Sequence, residues 1–366
     1  MPGGNQLKAE VLNTSACSLC GACLDWCPYL KNLEDHLVLR FDCPVNDGRC
    51  YAVCPRTMTD WEAVQQHCFP DLSPGVEMGR YTAVYRVRAQ HSIERVQDGG
   101  VVSTLLLTAL HGRMVDGLLL TGRDEPLIPA PLLTDETDEV VRSAGSRFLA
   151  SPGLRKITEA QNKGWQRLAV VGRPCQIQAL RKMQLNQPAD KQPLEILSIG
   201  LFCLWSLSWS FLDYLQEEYP GLSFTRMAIP QHGVELYAGE ETRVVPTEKV
   251  REYVRPGCHY CLDMTSELAD ISVGAFEAEA GWNTVIVRSQ SGADLLAKAQ
   301  KDDLLLVEEY PVVELERLRI ASLRKKARNL GLIAKAVEDG LFPGFINLDA
   351  DIYQRIKGQA EGTVNS

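Results

Sequence analysis

The sequence predicts an α/β (α+β) core with a small cysteine-rich unit in front of it and a helical tail behind. Three observations predict this. Eight of the twelve cysteines fall between Cys17 and Cys68. From position 81 onward, short runs of β-branched and apolar residues alternate with segments of helical period. Residues 313–337 read as one amphipathic helix. The shifts in composition set the expected boundaries at 1–78, 79–310 and 311–366.

Composition sets the outer limits. A chain of 366 residues suits two or three units, and 45% hydrophobic content is ample for a buried core. A net charge of -9 argues against a nucleic-acid surface, which needs a basic excess. No secretory pattern precedes the first cysteines. The longest apolar window, 199–215, is broken by Ser206, Ser208, Ser210 and Asp213, and reads as a buried strand followed by a helix, so no transmembrane segment is expected. The expectation is a soluble cytoplasmic protein. In that reducing compartment twelve cysteines point to metal ligation or redox chemistry, not to disulfides.

In the first unit, Cys17-x2-Cys20-Gly21-x-Cys23-x3-Cys27-Pro28 has the bacterial ferredoxin spacing. Three closely spaced thiolates wrap one cube, glycine lets the backbone come close, and the Cys-Pro cysteine turns to the other cluster. Zinc fits four cysteines in this order poorly. Cys43-Pro44-Val45-Asn46-Asp47-Gly48-Arg49-Cys50-x3-Cys54-Pro55 is a second ferredoxin repeat with a defect: Asp47 stands at the middle cysteine, and Cys43 lies one residue early. The exchange rule assigns Cys17, Cys20, Cys23 and Cys54 to a first cluster. It assigns Cys27, Cys43 and Cys50 to a second, with Cys68 or the harder Asp47 carboxylate as fourth ligand. The alternative is a degenerate half without a cluster.

The core follows in order. Residues 82–89 alternate as a strand. Gln97-Asp98-Gly99-Gly100 leads into helical spacing over 101–111, where Gly99 and Gly100 would let backbone N–H groups approach a phosphate. Residues 115–121 read as a strand, and Thr134 or Asp135 as the N-cap of an acidic first turn. Gly145-Ser146-Arg147 precedes a helix near 154–162, and Arg147 is a candidate phosphate partner. Arg167-Leu168-Ala169-Val170-Val171-Gly172 is a buried strand that delivers Pro174-Cys175-Gln176 ahead of a helix over 177–183. Cys203 ends the apolar run 194–202, and Cys258-x2-Cys261 follows later. These four thiols are the number a cubane cluster needs. Read singly, Cys203 is also a small buried hydrophobe, and Cys258 with Cys261 also half a zinc site. His259 between the two is a bystander, and Trp282 a core residue. Short strands with turns at 231–233 and 238–239 fill 223–245. Strands are expected over 268–274 and 282–288, and a helix over 294–300. The tail carries Arg324-Lys325-Lys326-Ala327-Arg328 and is expected to pack on its own core, with partner docking as the alternative. No GxGxxG follows any strand, so a standard dinucleotide fold is not supported.

Seven separated stretches then carry a resemblance. They are Asp98-Gly99-Gly100-Val101-Val102, Gly145-Ser146-Arg147-Phe148, Gly172-Arg173-Pro174-Cys175-Gln176, Gly200-Leu201-Phe202-Cys203, Gly257-Cys258-His259-Tyr260-Cys261, Glu267-Leu268-Ala269-Asp270-Ile271-Ser272-Val273-Gly274 and Gly281-Trp282-Asn283-Thr284-Val285. In that order, over about 80–310, the chain resembles the coenzyme F420 hydrogenase/dehydrogenase beta-subunit family with a 2[4Fe-4S] ferredoxin-type domain in front.

The resemblance implies an iron–sulfur flavoprotein core that binds FAD and a [4Fe-4S] cluster, with Cys175, Cys203, Cys258 and Cys261 at the cluster positions. Asp98, Gly99, Gly100, Ser146 and Arg147 match regions around the flavin. Arg147 stands where lysine is common, which keeps the charge and alters the geometry. Three clusters are expected, and at least two. A flavin beside a cluster divides an electron pair into single electrons, so the chain needs no acid or base of its own. The implied role is an electron-transfer subunit of a hydrogenase, formate dehydrogenase or heterodisulfide-reductase type complex, served by a soluble two-electron carrier such as coenzyme F420 or NAD(P)H. The alternatives are a stand-alone ferredoxin-dependent reductase of an organic substrate and a non-redox metal-binding scaffold.

Overall fold

A computed structural model describes the chain except residues 1, 25, 92–95, 97, 124, 188–192, 231–232, 342–345, 348–353, 355 and 359–366; at 346 and 347 it describes the backbone alone. Most of the turn expected at 231–233, and Gln97 ahead of the glycine pair, lie outside the described residues.

The cysteine-rich segment is built from short pieces. Helix α1 (Gly4–Leu7) runs into a π-helical turn, and strands β1 (Leu30–Leu33) and β2 (His36–Leu39) form an antiparallel hairpin. Helix α2 (Arg49–Ala52), strand β3 (Thr59–Asp60) and helix α3 (Trp61–Cys68) follow. Asp60 caps α3 by accepting from the Ala63 N–H at 3.0 Å. Leu7, Val11, Leu19, Leu30 and Leu37 pack around Cys23, Cys50 and Cys54. With so little apolar volume the segment leans on its sulfurs and on the core behind it.

The core opens with β4 (Ala83–Ala89), α4 (Val101–His111), β5 (Gly117–Arg123), β6 (Pro129–Thr134), α5 (Thr137–Arg142) and α6 (Ile157–Asn162). It continues through β7 (Arg167–Gly172), α7 (Pro174–Leu185) and β8 (Glu195–Leu201). A subsidiary layer of α8 (Ser210–Glu218), β9 (Arg226–Ala228), β10 (Val234–Ala238), β11 (Glu241–Val245) and α9 (Thr247–Arg251) leaves the sheet and returns. Then come β12 (Ile271–Ala275), β13 (Asn283–Val287), α10 (Gln290–Lys301), β14 (Leu305–Glu309) and α11 (Val312–Glu338), and β15 (Ile346–Asn347) pairs with β3.

The sheet has eight strands in the order β14-β4-β13-β12-β8-β7-β5-β6. Its centre, β12-β8-β7-β5, is parallel, and both flanks are antiparallel. Leu168, Ala169 and Val170 of β7 and Ile199 of β8 are wholly buried, which is why these strands read as continuous apolar runs and not as alternation.

Two strands of this sheet were not expected. Strand β6 contains Pro129 and Pro131, which lack ladder donors; as the outermost strand it tolerates them. Because β6 runs through Thr134, helix α5 starts later than expected, with Glu136 at its N-cap, and the Thr134 hydroxyl accepts from the Glu136 N–H at 3.0 Å. Strand β14 extends the other edge beside β4. The long helix α11 forms as expected, but Lys325 and Lys326 lie on its packed face together with Ser322 and Asn329.

Candidate metal centre

Four thiols gather beyond the carboxyl ends of β7 and β8, where open parallel sheets hold their ligands. Cys175 lies in the first turn of α7, which is fixed by the Arg173 N–H donating to Gln176 Oε1 at 2.9 Å. Cys203 follows β8 and is held by its N–H on the Met264 carbonyl at 2.9 Å. Cys258 and Cys261 come from a 3-10 turn, Pro256–Tyr260, and the next residue. Each of Cys203 and Cys258 feels the charge of Cys175, and Cys258 also feels Cys261. The Ser206 N–H donates to Cys258 Sγ at 3.3 Å and Lys325 Nζ to Cys261 Sγ at 3.7 Å.

A second quartet lies next to the first. Cys17, Cys20, Cys23 and Cys54 line one cavity, closed on the apolar side by Leu7 and Leu37. The Leu19 and Arg56 N–H groups donate to Cys17 Sγ and Cys54 Sγ, each at 3.4 Å. Cys17 and Cys20 both feel Cys175, so the quartets are neighbours. Gly257 makes that approach possible: a Cβ there would stand 2.6 Å from the Ala16 carbonyl oxygen and 2.7 Å from that of Cys17. Arg255 ties the same edge, donating to the Cys17 carbonyl at 3.3 Å and to Asp35 Oδ2 at 2.7 Å.

The third group is smaller. Cys50 feels Cys27 and Cys43, and Cys43 is anchored by its N–H on Asn5 Oδ1 at 2.9 Å. Asp47 is exposed on the same loop. Cys68 stands apart: it lies on α3 near Arg181 and Asp270, in the apolar layer where α3 packs on α7. The structure therefore brings together eleven of the twelve cysteines in the expected groups and leaves Cys68 outside them.

Burial dominates the acidity of several of these thiols. It raises Cys17, Cys20, Cys23 and Cys258 above the usual range, Cys54 to about 11 and Cys203 to about 12. Cys261 is the exception. Burial would raise it too, but the Lys325 and Arg56 charges outweigh burial and hold it below the usual value. A metal that binds here must displace thiol protons, so its affinity falls as the pH is lowered.

Among the described residues no three His, Cys, Asp or Glu side chains converge as ligands of a single ion would. A cubane instead gives each thiolate its own corner iron. The donor set suits that: thiol quartets, N–H groups aimed at sulfur, and buried cations behind them.

The remaining expected residues divide into two places. Gly100 is the N-cap of α4 with φ +72°, without a side-chain cap, and the Val101 N–H points to Asn283 Oδ1 at 3.4 Å. A Cβ on Gly99 would meet that oxygen at 2.8 Å, so the Asp98-Gly99-Gly100 and Gly281-Trp282-Asn283 motifs are pressed together. Asp98 is exposed. Arg147 turns back on its own loop, donating to the Gly145 carbonyl at 2.6 Å and the Ser143 carbonyl at 3.0 Å, while Ser146 is exposed. Burial, with Arg123 nearby, lowers Arg147 to about 10. Trp282 is buried as expected, with the Arg86 and Arg88 guanidinium carbons 4.6 and 4.8 Å from its ring centroid.

Sequence reasoning missed Arg56, Lys325 and Asn329. Arg56 is buried beside Cys261, Cys175 and Cys258. Lys325 had a legible signal: 322, 325, 326 and 329 share one helical face, so polar residues interrupt the stripe that ought to be apolar.

Fold and thiols together define the class, a mixed α/β protein that gathers four cysteines beyond the carboxyl ends of β7 and β8 and packs a cysteine-rich segment beside them. Two family models of the coenzyme F420 hydrogenase/dehydrogenase beta subunit match it, the N-terminal one over residues 84–158 and the C-terminal one over 165–312. The chain belongs to the coenzyme F420 hydrogenase/dehydrogenase beta-subunit family. It is 29% identical over 284 residues to the coenzyme F420 hydrogenase subunit beta of Methanosarcina barkeri, covering 74% of this chain and 97% of that protein. It is 28% identical over 331 residues to a subunit of the F(420)H(2) dehydrogenase of Methanosarcina mazei, covering 87% and 92%. That span exceeds everything after residue 78, so it takes in part of the cysteine-rich segment. A chain in the structure of the F420-reducing [NiFe] hydrogenase complex from Methanosarcina barkeri matches with TM-score 0.69 and 28% identity, over 75% of this chain and 98% of that one. Among the described residues no helix is long and apolar enough to cross a membrane.

Proposed function

We propose that the chain is an iron–sulfur flavoprotein subunit that exchanges electrons between a soluble two-electron carrier and one-electron [4Fe-4S] clusters. The observation that carries this is the adjacency of the two thiol quartets, Cys17, Cys20, Cys23 and Cys54 beside Cys175, Cys203, Cys258 and Cys261, with buried Arg56 against both. Adjacent quartets give an electron path from one cluster to the next, and the order of Cys17, Cys20, Cys23 and Cys27-Pro28 fits zinc poorly. The third group, Cys27, Cys43 and Cys50, would form the outer end of the path, in a ferredoxin-type domain that hands electrons to partner subunits in the cytoplasm.

FAD is part of the proposal. Bound, it would convert a hydride from a carrier such as coenzyme F420 into single electrons. The start of α4 at Gly99 and Gly100, whose N-cap carries no side chain, is where main-chain N–H groups would meet a phosphate. Arg147, committed to carbonyls of its own loop, serves that loop's shape. The carrier and the partner are taken from the names of the relatives: a hydrogenase or dehydrogenase complex, with F420 as its two-electron coenzyme.

The test is the iron, acid-labile sulfide and flavin content of anaerobically purified protein, with EPR after reduction and a trial of reduced F420 as donor. About twelve irons and one FAD support the whole reading. About eight irons remove the outer cluster. Zinc without flavin overturns it.

A further inference from the structure

We propose that Lys325, carried by α11, is a positioning residue that raises the reduction potential of the core cluster, which makes the C-terminal helix part of the redox centre. The proposal rests on the reading of Cys175, Cys203, Cys258 and Cys261 as ligands of that cluster. Lys325 lies on α11, beyond the residues that the two family models match.

Lys325 is 2% exposed. An ammonium has three donors, and all three find a partner at the thiol quartet. Nζ lies 2.7 Å from the Cys203 carbonyl oxygen, 2.7 Å from that of Asp263 and 3.7 Å from Cys261 Sγ. One turn on, Asn329 Nδ2 donates to the carbonyls of Cys258 at 3.1 Å and Cys261 at 2.7 Å. The helix is locked in register on both sides of this contact: Ser322 Oγ donates to the Glu77 carbonyl at 2.6 Å, and Lys326 pairs with the buried Glu267.

The charge balance points to a ligand. Among the described residues Lys325 makes no ion pair; Asp263, whose charge it feels, meets it through the main-chain carbonyl. A buried ammonium without a paired counter-charge is strongly disfavoured. A cubane held by four thiolates is an anion, and it would supply the missing charge at the sulfur that Lys325 touches. Reduction adds one electron and no proton to that anion, and Lys325 keeps its own proton and bonds throughout. The ammonium therefore favours the reduced cluster over the oxidised one, and both hydrogen bonding to sulfur and nearby charge are levers on cluster potential. Arg56 and Arg173 add positive charge from other sides. Lys325 adds its charge from the tail.

The experiment is an EPR-monitored potentiometric titration, with dithionite as reductant, of the anaerobically purified full chain and its Lys325→Met, Lys325→Arg and Cys175→Ala variants. The signal and the irons lost in Cys175→Ala identify the core cluster. If that variant loses neither, the core-cluster reading falls. If they are lost there, Lys325→Met should keep its iron and shift that signal alone to lower potential, by at least a tenfold loss in the reduction equilibrium, about 59 mV for one electron. Lys325→Arg should largely restore it. An unmoved signal in Lys325→Met overturns the proposal and leaves the core cluster standing. Should Lys325→Met lose the cluster, Lys325→Arg decides: retention with the wild-type potential supports the charge as the requirement, and loss in both variants overturns it.

Discussion

The main-chain N–H of Arg56 donates to Cys54 Sγ at 3.4 Å, while its guanidinium donates to the Gly257 carbonyl at 3.2 Å and interacts with the Cys261 sulfur. One residue thus touches a thiol of each quartet. It follows Cys54-Pro55 in the sequence and belongs to the cysteine-rich segment, so that segment's orientation on the core and the contact between the two thiol groups are set together. Arg56→Gln should leave the buried Gly257 carbonyl without its donor and cost about 1–3 kcal/mol. It should also slow electron equilibration between the core and N-terminal clusters. Arg56→Lys keeps the charge but not the forked reach and should recover only part of both losses. Thermal melting and stopped-flow absorbance would measure the two; unchanged kinetics in Arg56→Gln would remove it from the path.

Gly257 is the backbone half of the same contact. A Cβ at this position would collide with main-chain oxygens of Ala16 and Cys17, which cannot swing away as a side chain would. Gly257→Ala should therefore force the loop and the cysteine-rich segment apart, at roughly the 1–3 kcal/mol of an overpacked interior. The expected outcome is a lower melting temperature and loss of iron, measured on the same preparation. Wild-type values of both would mean that the two backbones part without consequence.

Much of this was legible in the sequence because it is local. The grouping of Cys17, Cys20 and Cys23, the strand that delivers Cys175 and the helix over 101–111 each depend on residues close in the chain, and α4 spans Val101–His111 as the pattern indicates. What was not legible depends on distant pairing. β6 looks unlike a strand because of Pro129 and Pro131, and only its edge position makes them acceptable. Lys325 and Lys326 look like a solvated basic patch until the sulfur of Cys261 and the carboxylate of Glu267 are found opposite them. Cys68 looks like a spare ligand by counting, yet α3 directs it to Arg181 and away from Cys50.

That placement makes the fourth ligand of the outer group testable. Cys68→Ala should keep its full iron content and lose at most about 1–2 kcal/mol, as for trimming a small buried hydrophobe. Asp47→Ala should lose the outer cluster or make its iron labile, because a carboxylate is the remaining donor on the loop between Cys43 and Cys50. Iron analysis with EPR of the reduced proteins distinguishes the cases. Loss in Cys68→Ala would restore the thiol as ligand. Full retention in both would mean a cluster held by three protein thiolates.

Glu267 carries a pH signature that the thiols do not share. Burial is the largest influence on its carboxyl group and raises it from 4.5 to about 7, while Lys326 and Arg288 pull the other way and Asp263 adds to the rise. The folded protein therefore holds this proton more tightly than the unfolded chain does. Its stabilising effect is complete below the unfolded value, near 4.5, and is lost as pH rises through about 7. At 1.36 kcal/mol per unit the full effect is about 3 kcal/mol. Glu267→Gln has no such proton, so its melting temperature should fall less than that of the wild type between pH 5.5 and 8. Comparing the two profiles cancels the titration of the cysteines, which both proteins share. Parallel profiles would mean that Lys326 keeps the carboxylate charged throughout, and that the Glu267 pair holds α11 to the core as an ordinary buried ion pair.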